Sequence, residues 1–103
     1  MTGFAVIYRW SVEAEHQTAF RARWHAGTLA LREEHGAFGS CLTRDENGDF
    51  VAIALWPSEA ARAAAFAARG MREPLPGVIE FEESRLQVED DLWLSSPLRD
   101  LSS

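Results

Sequence analysis

The sequence predicts an α+β fold with the ferredoxin-like order β-α-β-β-α-β, and three observations carry that prediction. A β-branched and aromatic run near the start leads into a long amphipathic stretch. Two strand-like runs then flank an Asn-Gly pair. An alanine-rich helical segment follows, and an alternating segment comes after it. At 103 residues the chain can bury one core but not two, so residues 1–103 read as a single domain.

Phe4 to Trp10, bounded by Gly3 and Ser11, reads as the first strand. Ser11 is expected to cap a helix, with Glu13 and Glu15 at the positive end of its dipole. That helix should run to His35 and end on Gly36 in the left-handed conformation. Its apolar stripe is Phe20, Trp24, Gly27/Thr28 and Leu31, at steps of three and four, and Gly27 points to close packing.

Phe38 to Arg44 and Phe50 to Trp56 read as a hairpin about Glu46-Asn47-Gly48-Asp49. Asn-Gly suits a two-residue type I′ turn, which would oppose Arg44 to Val51, Leu42 to Ile53 and Ser40 to Leu55. Gly39, Cys41, Ala52 and Ala54 would then share one face between Phe50 and Trp56. Pro57-Ser58 ends the strand and caps a second helix, Glu59 to Arg69, stopped by Gly70. Residues 77–83 fit either a short helix or a strand, because Ile79 and Phe81 alternate while the charges suit a helical turn. Arg85 to Glu89 is the preferred last strand. In the tail, 91–103, Trp93, Leu94, Leu98 and Leu101 suggest packing on a surface, the partner's included.

Right-handed crossovers place the first and third strands at the centre of an antiparallel sheet. Both are apolar on both faces, whereas two helices cover only one face. A second copy of the chain is the simplest cover for the other, so a homodimer is expected.

Composition excludes several classes of partner. The net charge is −6, from 16 acidic and 10 basic residues, and the basic ones are scattered. Neither nucleic acid nor an anionic membrane is an expected partner. Cys41 is the one cysteine, so no internal disulfide or multi-cysteine metal site is expected. Met1 to Trp10 lacks a basic stretch ahead of an apolar one, and no apolar run would span a bilayer; a cytoplasmic location is expected.

His16, His25 and His35 point in different directions on one helix, so no metal site is expected of them. Cys41 has no evident activating base and reads as a small hydrophobe. The small residues of the hairpin face either admit a helix closely or leave an apolar hollow. In the second case Phe20, Trp24 and Tyr8 could line it with Trp56, and a flat aromatic molecule would suit such walls. Arg9 either pairs with an oxyanion of that molecule or anchors a salt bridge.

Val6 to Trp10, Phe20, Glu33 to Ser40 and Phe50 to Ala65, with Trp56 ending a strand before a Ser-Glu-Ala helix start, resemble the antibiotic biosynthesis monooxygenase family. The resemblance covers roughly residues 4 to 66 and implies a dimeric α+β barrel, with pockets between helices and sheet. It implies oxidation of phenolic or quinol-like compounds by molecular oxygen, with no metal or flavin. Other members of the family degrade haem, isomerise small molecules or have no known activity. Haem-degrading members carry an asparagine in the first strand, where this chain has Tyr8 and Arg9. Monooxygenase members tend to carry a polar residue four positions before the strand-ending tryptophan, where this chain has Ala52. Trp56 is the pocket residue the resemblance itself carries over. The expected function is a cofactor-independent, monooxygenase-like enzyme for a small aromatic or quinol-type compound. The alternative is a dimeric, non-catalytic small-molecule-binding or stress-associated domain.

Overall fold

The computed structural model describes residues 3–70 and 74–98. Its elements are β1 (Phe4–Val12), α1 (Gln17–Glu34), β2 (Gly39–Arg44), β3 (Phe50–Trp56), α2 (Glu59–Arg69) and β4 (Val78–Gln87), with a 3-10 turn at Ala14–His16. The strands form one antiparallel sheet in the order β2-β3-β1-β4, with β1 and β3 central, as the crossover argument predicts. This is an α+β ferredoxin-like fold. None of the described helices is long and apolar enough to cross a membrane.

The first helix starts later than its capping residues suggest. Ser11 and Val12 pair with Glu80 and Val78 of β4, and Glu13 N–H donates to the Gly77 carbonyl. With those backbone groups held by the sheet and Val12 buried, Ser11 continues β1 instead of capping a helix. The second helix begins as expected: Ser58 Oγ accepts from Ala61 N–H at 3.0 Å.

The hairpin differs from its expected register by one residue. Asn47 does not take the positive φ that a type I′ turn demands; only Gly48 does, at 86°. Gly48 N–H donates to the Asp45 carbonyl and Asp45 N–H to the Asp49 carbonyl, giving a three-residue loop with a glycine bulge. Asp45 decides this choice. Its carboxylate accepts from Asn47 and Asp49 N–H at 2.9 and 3.0 Å and also takes the Arg9 guanidinium. Arg44 therefore opposes Phe50, Leu42 opposes Ala52, and Ser40 opposes Ala54. Cys41 moves to the face away from the helices, opposite Ile53.

Residues 77–83, open between helix and strand in the sequence, lie in β4 from Val78 onward. β4 runs from Val78 to Gln87, seven residues earlier at its start than the expected Arg85–Glu89 strand. The unsatisfied edge of β1 explains the difference. Every residue from Phe4 to Val12 finds a partner in β4, and no helical turn would satisfy those groups.

The helix face of the sheet carries Phe4, Val6, Tyr8 and Trp10 of β1 beside Trp56, Ala54, Ala52 and Phe50 of β3. Phe20 from α1 is fully buried on it, stacked with Phe50 at 4.9 Å. Ala65 from α2 packs near Trp56. The opposite face carries Ala5, Ile7, Val51, Ile53, Leu55 and Leu86, with Ile53 36% and Leu86 41% exposed. Leu98 in the tail folds back on its own chain and is buried against Gly3. Leu92, Trp93 and Leu94 stay exposed, and Leu101 lies outside the described residues.

Replacing Asp45 with alanine removes the acceptor of two turn N–H groups and the partner of Arg9. Urea unfolding should show a lower midpoint than the wild type.

Candidate functional site

The helix face is not packed solid. One core cluster gathers Phe4, Val6, Ala54, Trp56 and Ala65, and a second gathers Trp10, Val12, Phe20, Phe50 and Ala52. Tyr8 touches both. Beside Tyr8 lies a cavity of about 580 Å³. Its floor is the sheet (Tyr8, Trp10, Ala54, Trp56 and Phe81), and its roof is α1 (Trp24, Gly27, Thr28 and Leu31) with Phe66 and Arg69 of α2. Small residues make the room, because Ala54 sits where a longer side chain would fill the floor. Gly27 admits α2 closely: a Cβ there would lie 2.9 Å from an Arg69 guanidinium nitrogen.

The cavity walls are mostly apolar and aromatic, with Arg23, Ser40 and Arg69 also in the lining and a polar corner at Tyr8. The rings of Tyr8, Trp10 and Phe81 form a triangle, with Trp10 5.4 Å and Phe81 6.1 Å from Tyr8 and 6.0 Å from each other. Arg62 of α2, 8% exposed, donates from Nη2 to Tyr8 Oη at 2.8 Å and to Glu83 Oε1 at 3.1 Å. Its guanidinium also lies 4.8 Å from the Phe66 ring centre. Arg85 Nε donates to Glu83 Oε2 at 2.8 Å. Burial pushes the Tyr8 phenol above its ordinary value, and the Arg62 hydrogen bond and charge only partly offset this. Burial also raises Glu83, but Arg85 and Arg62 outweigh it and hold the carboxyl below its ordinary value. At neutral pH the corner is a neutral phenol backed by two guanidinium groups and one carboxylate.

The residues proposed from sequence divide between the cavity and elsewhere. Tyr8, Trp24 and Trp56 line it. Phe20 lies beneath it, sealed between Trp10 and Phe50. Arg9 is on the opposite sheet face, ion-paired with Asp45 and Asp49, so the salt-bridge reading describes its placement. Strand parity is the cause: Arg9 neighbours Tyr8 in sequence and must point away from it. Gly39, at the start of β2, lines the cavity; Cys41, carried to the far face by the one-residue shift in hairpin register, does not.

His16 and His35 sit at opposite ends of α1, and His25 is exposed between them, so they do not converge. Glu13, Glu15 and His16 do bring ligand atoms within 4.8 Å of one another, on a surface turn where acidic groups are commonly just solvated.

Arg62, Trp10, Phe66 and Phe81 were not singled out from sequence. The signal for Arg62 was present: it is the one charged residue between Glu59 and Arg69, and it shares a helical face with Phe66 and Arg69. Its partner Glu83 lay in the segment whose secondary structure the sequence left open.

The model of the antibiotic biosynthesis monooxygenase family matches residues 3–73. Among solved structures, the chain is similar to SnoaB, a cofactor-independent oxygenase from Streptomyces nogalater. That match has 17% identity and a TM-score of 0.71 and covers 89% of this chain and 98% of that one. It is also similar to MhuD, a heme-degrader from Mycobacterium tuberculosis, at 21% identity and a TM-score of 0.66, covering 87% and 99% of the two chains. A Caulobacter crescentus protein described as a candidate antibiotic biosynthesis monooxygenase matches at 18% identity and a TM-score of 0.66, covering 86% and 92%. At these identities the structural matches show a shared fold. No curated protein sequence matches the chain significantly. With its family model spanning residues 3–73, the chain belongs to the antibiotic biosynthesis monooxygenase family.

Proposed function

We propose that the cavity holds a small flat aromatic or quinol-type molecule, and that the protein oxidises it with molecular oxygen without a cofactor. One observation carries this reading: a largely aromatic-walled space of about 580 Å³ with the Tyr8 phenol in its wall. Its volume lies within the roughly 300–1,000 Å³ of small-molecule pockets. Trp24, Trp56 and Phe66 give rings on which a planar ligand can stack.

Ala52, where monooxygenase members tend to be polar, is fully buried and lies directly across the β1–β3 ladder from Tyr8. A larger residue at 52 would compete with the Tyr8 ring for the same space. In this chain the polar role passes to Tyr8.

Oxygen chemistry of this kind needs a substrate anion and a group that stabilises it. Tyr8 can donate to such an anion, and the positive charge behind it has the right sign. Glu83, clamped by two arginines, is a poor base near neutral pH. A substrate acidic enough to lose its proton to water, such as an anthrone, therefore suits the site. For its methylene the reaction balances: one oxygen atom enters as the carbonyl and the other leaves as water, while the carbon is oxidised and O₂ reduced.

The lack of an unclamped carboxylate or histidine among the described lining residues favours a second reading, binding without turnover. Haem suits the cavity less well, because Tyr8 is the one axial-ligand type in the described lining and its oxygen already accepts from Arg62.

Oxygen uptake with anthrone and a quinol should be measured against a Thr28→Trp variant. Thr28 lines the roof and is half-buried, so tryptophan there should fill the cavity and lower uptake at least about tenfold while the chain stays folded. Anthrone binding without oxygen consumption would select the second reading.

We also infer that the chain is a homodimer joined through the open sheet face, where Ile7, Ile53 and Leu55 lie side by side. Light scattering should give twice the chain mass. Ile53→Glu, which places a charge at the centre of that face, should shift the population to monomer by tenfold or more, on the order of 1–3 kcal/mol.

A further inference from the structure

We propose that Tyr8 selects the occupant of the cavity, which must be an aromatic molecule presenting an acceptor oxygen (a ketone carbonyl or an ionised hydroxyl) at the Tyr8 corner. This rests on reading the cavity as a ligand site.

The argument is one of hydrogen-bond inventory. A phenol has one hydrogen to donate and lone pairs with which to accept, whereas a guanidinium only donates. The Arg62–Tyr8 contact at 2.8 Å therefore has Tyr8 accepting, and its own hydrogen must point elsewhere. Among the described residues no acceptor takes that hydrogen, while the ring forms part of the cavity wall. A molecule that reaches the Tyr8 hydroxyl thus meets a hydrogen that no described residue has taken.

Charge acts the same way. Arg62 and Arg85 against Glu83 leave one net positive charge behind the phenol, and Arg62 is buried where screening is weak. The corner favours an anionic or carbonyl oxygen and disfavours an ammonium group. Arg62 does not line the cavity, so its part is to position and polarise Tyr8. Glu83, reaching across from β4, holds Arg62 against the ring.

Fluorenone and fluorene share one ring frame and differ by a carbonyl oxygen, so equilibrium dialysis with this pair isolates the hydrogen bond. Wild-type protein should prefer fluorenone by about fivefold or more. Tyr8→Phe should remove that preference by weakening fluorenone binding. Equal binding of the two by wild type, or an unchanged preference in Tyr8→Phe, overturns the proposal while the cavity remains a ligand site. Binding of neither overturns both.

The role of Arg62 has its own readout, because Tyr8 is the only tyrosine in the chain. The tyrosinate absorbance on alkaline titration reports that single group. Arg62 favours the ionised phenol through its hydrogen bond and charge, so Arg62→Met should move the midpoint upward and Arg62→Lys should recover part of the shift. A midpoint that stays or falls in Arg62→Met overturns the positioning role. Should Arg62→Met fail to fold, the wild-type fluorenone preference and the Tyr8→Phe comparison decide the proposal on their own.

Discussion

The whole arrangement depends on β1 being hydrogen-bonded along both edges. Its register against β3 and β4 is set over the full strand, so alternate side chains are committed to opposite faces with no freedom to slip. That commitment puts Phe4, Val6, Tyr8 and Trp10 under the helices and Ala5, Ile7 and Arg9 on the open face. It also draws Ser11 and Val12 into the sheet and delays the first helix. One ladder therefore sets where the core lies, where the helix begins and which polar group enters the cavity.

The cavity comes from unequal filling of the space between sheet and helices. Phe20, Phe50 and Trp10 pack one end tightly, and Trp56 with Ala65 packs the other. Between them the sheet offers Ala54 and the helix roof offers Gly27 and Thr28, which are too short to meet. The rings of Trp24, Trp56 and Phe66 then stand around a space that no side chain fills. Bulk is spent at the ends and withheld in the middle, which is how a small domain keeps both a core and a pocket.

The polar corner shows how a buried arginine is tolerated in so small a protein. Desolvating a guanidinium is costly unless its charge and hydrogen bonds are met. Arg62 meets most of this need with a carboxylate from β4, a phenol from β1 and the faces of two aromatic rings, while its buried Nε has no hydrogen-bond partner among the described residues. Three separate elements converge on one side chain, and one of its partners, Tyr8, is also part of the cavity wall.

Much of the fold was legible in the sequence because its signals are local. Strand alternation, the Ser58 cap, the alanine-rich helix and the two-faced central strands each follow from residues within a few positions of one another. Tyr8, Trp24 and Trp56 were legible as cavity walls for the same reason: strand parity and helical spacing put them on inward faces. What required tertiary structure were the competitions. Asp45 could accept turn hydrogen bonds that displaced the favoured Asn-Gly turn, and that one-residue change moved Cys41 to the far face. Residues 77–83 fitted helix or strand equally until the free edge of β1 paired with them from Val78 onward. Arg62 looked like any helix arginine until Tyr8 and Glu83, 54 and 21 positions away, were brought to it. Sequence by itself determined which residues prefer strand, helix or turn, and so the order of elements. Tertiary structure alone decided register, the last strand and the polar corner, because those depend on which distant backbone and charged groups would otherwise be buried without a partner.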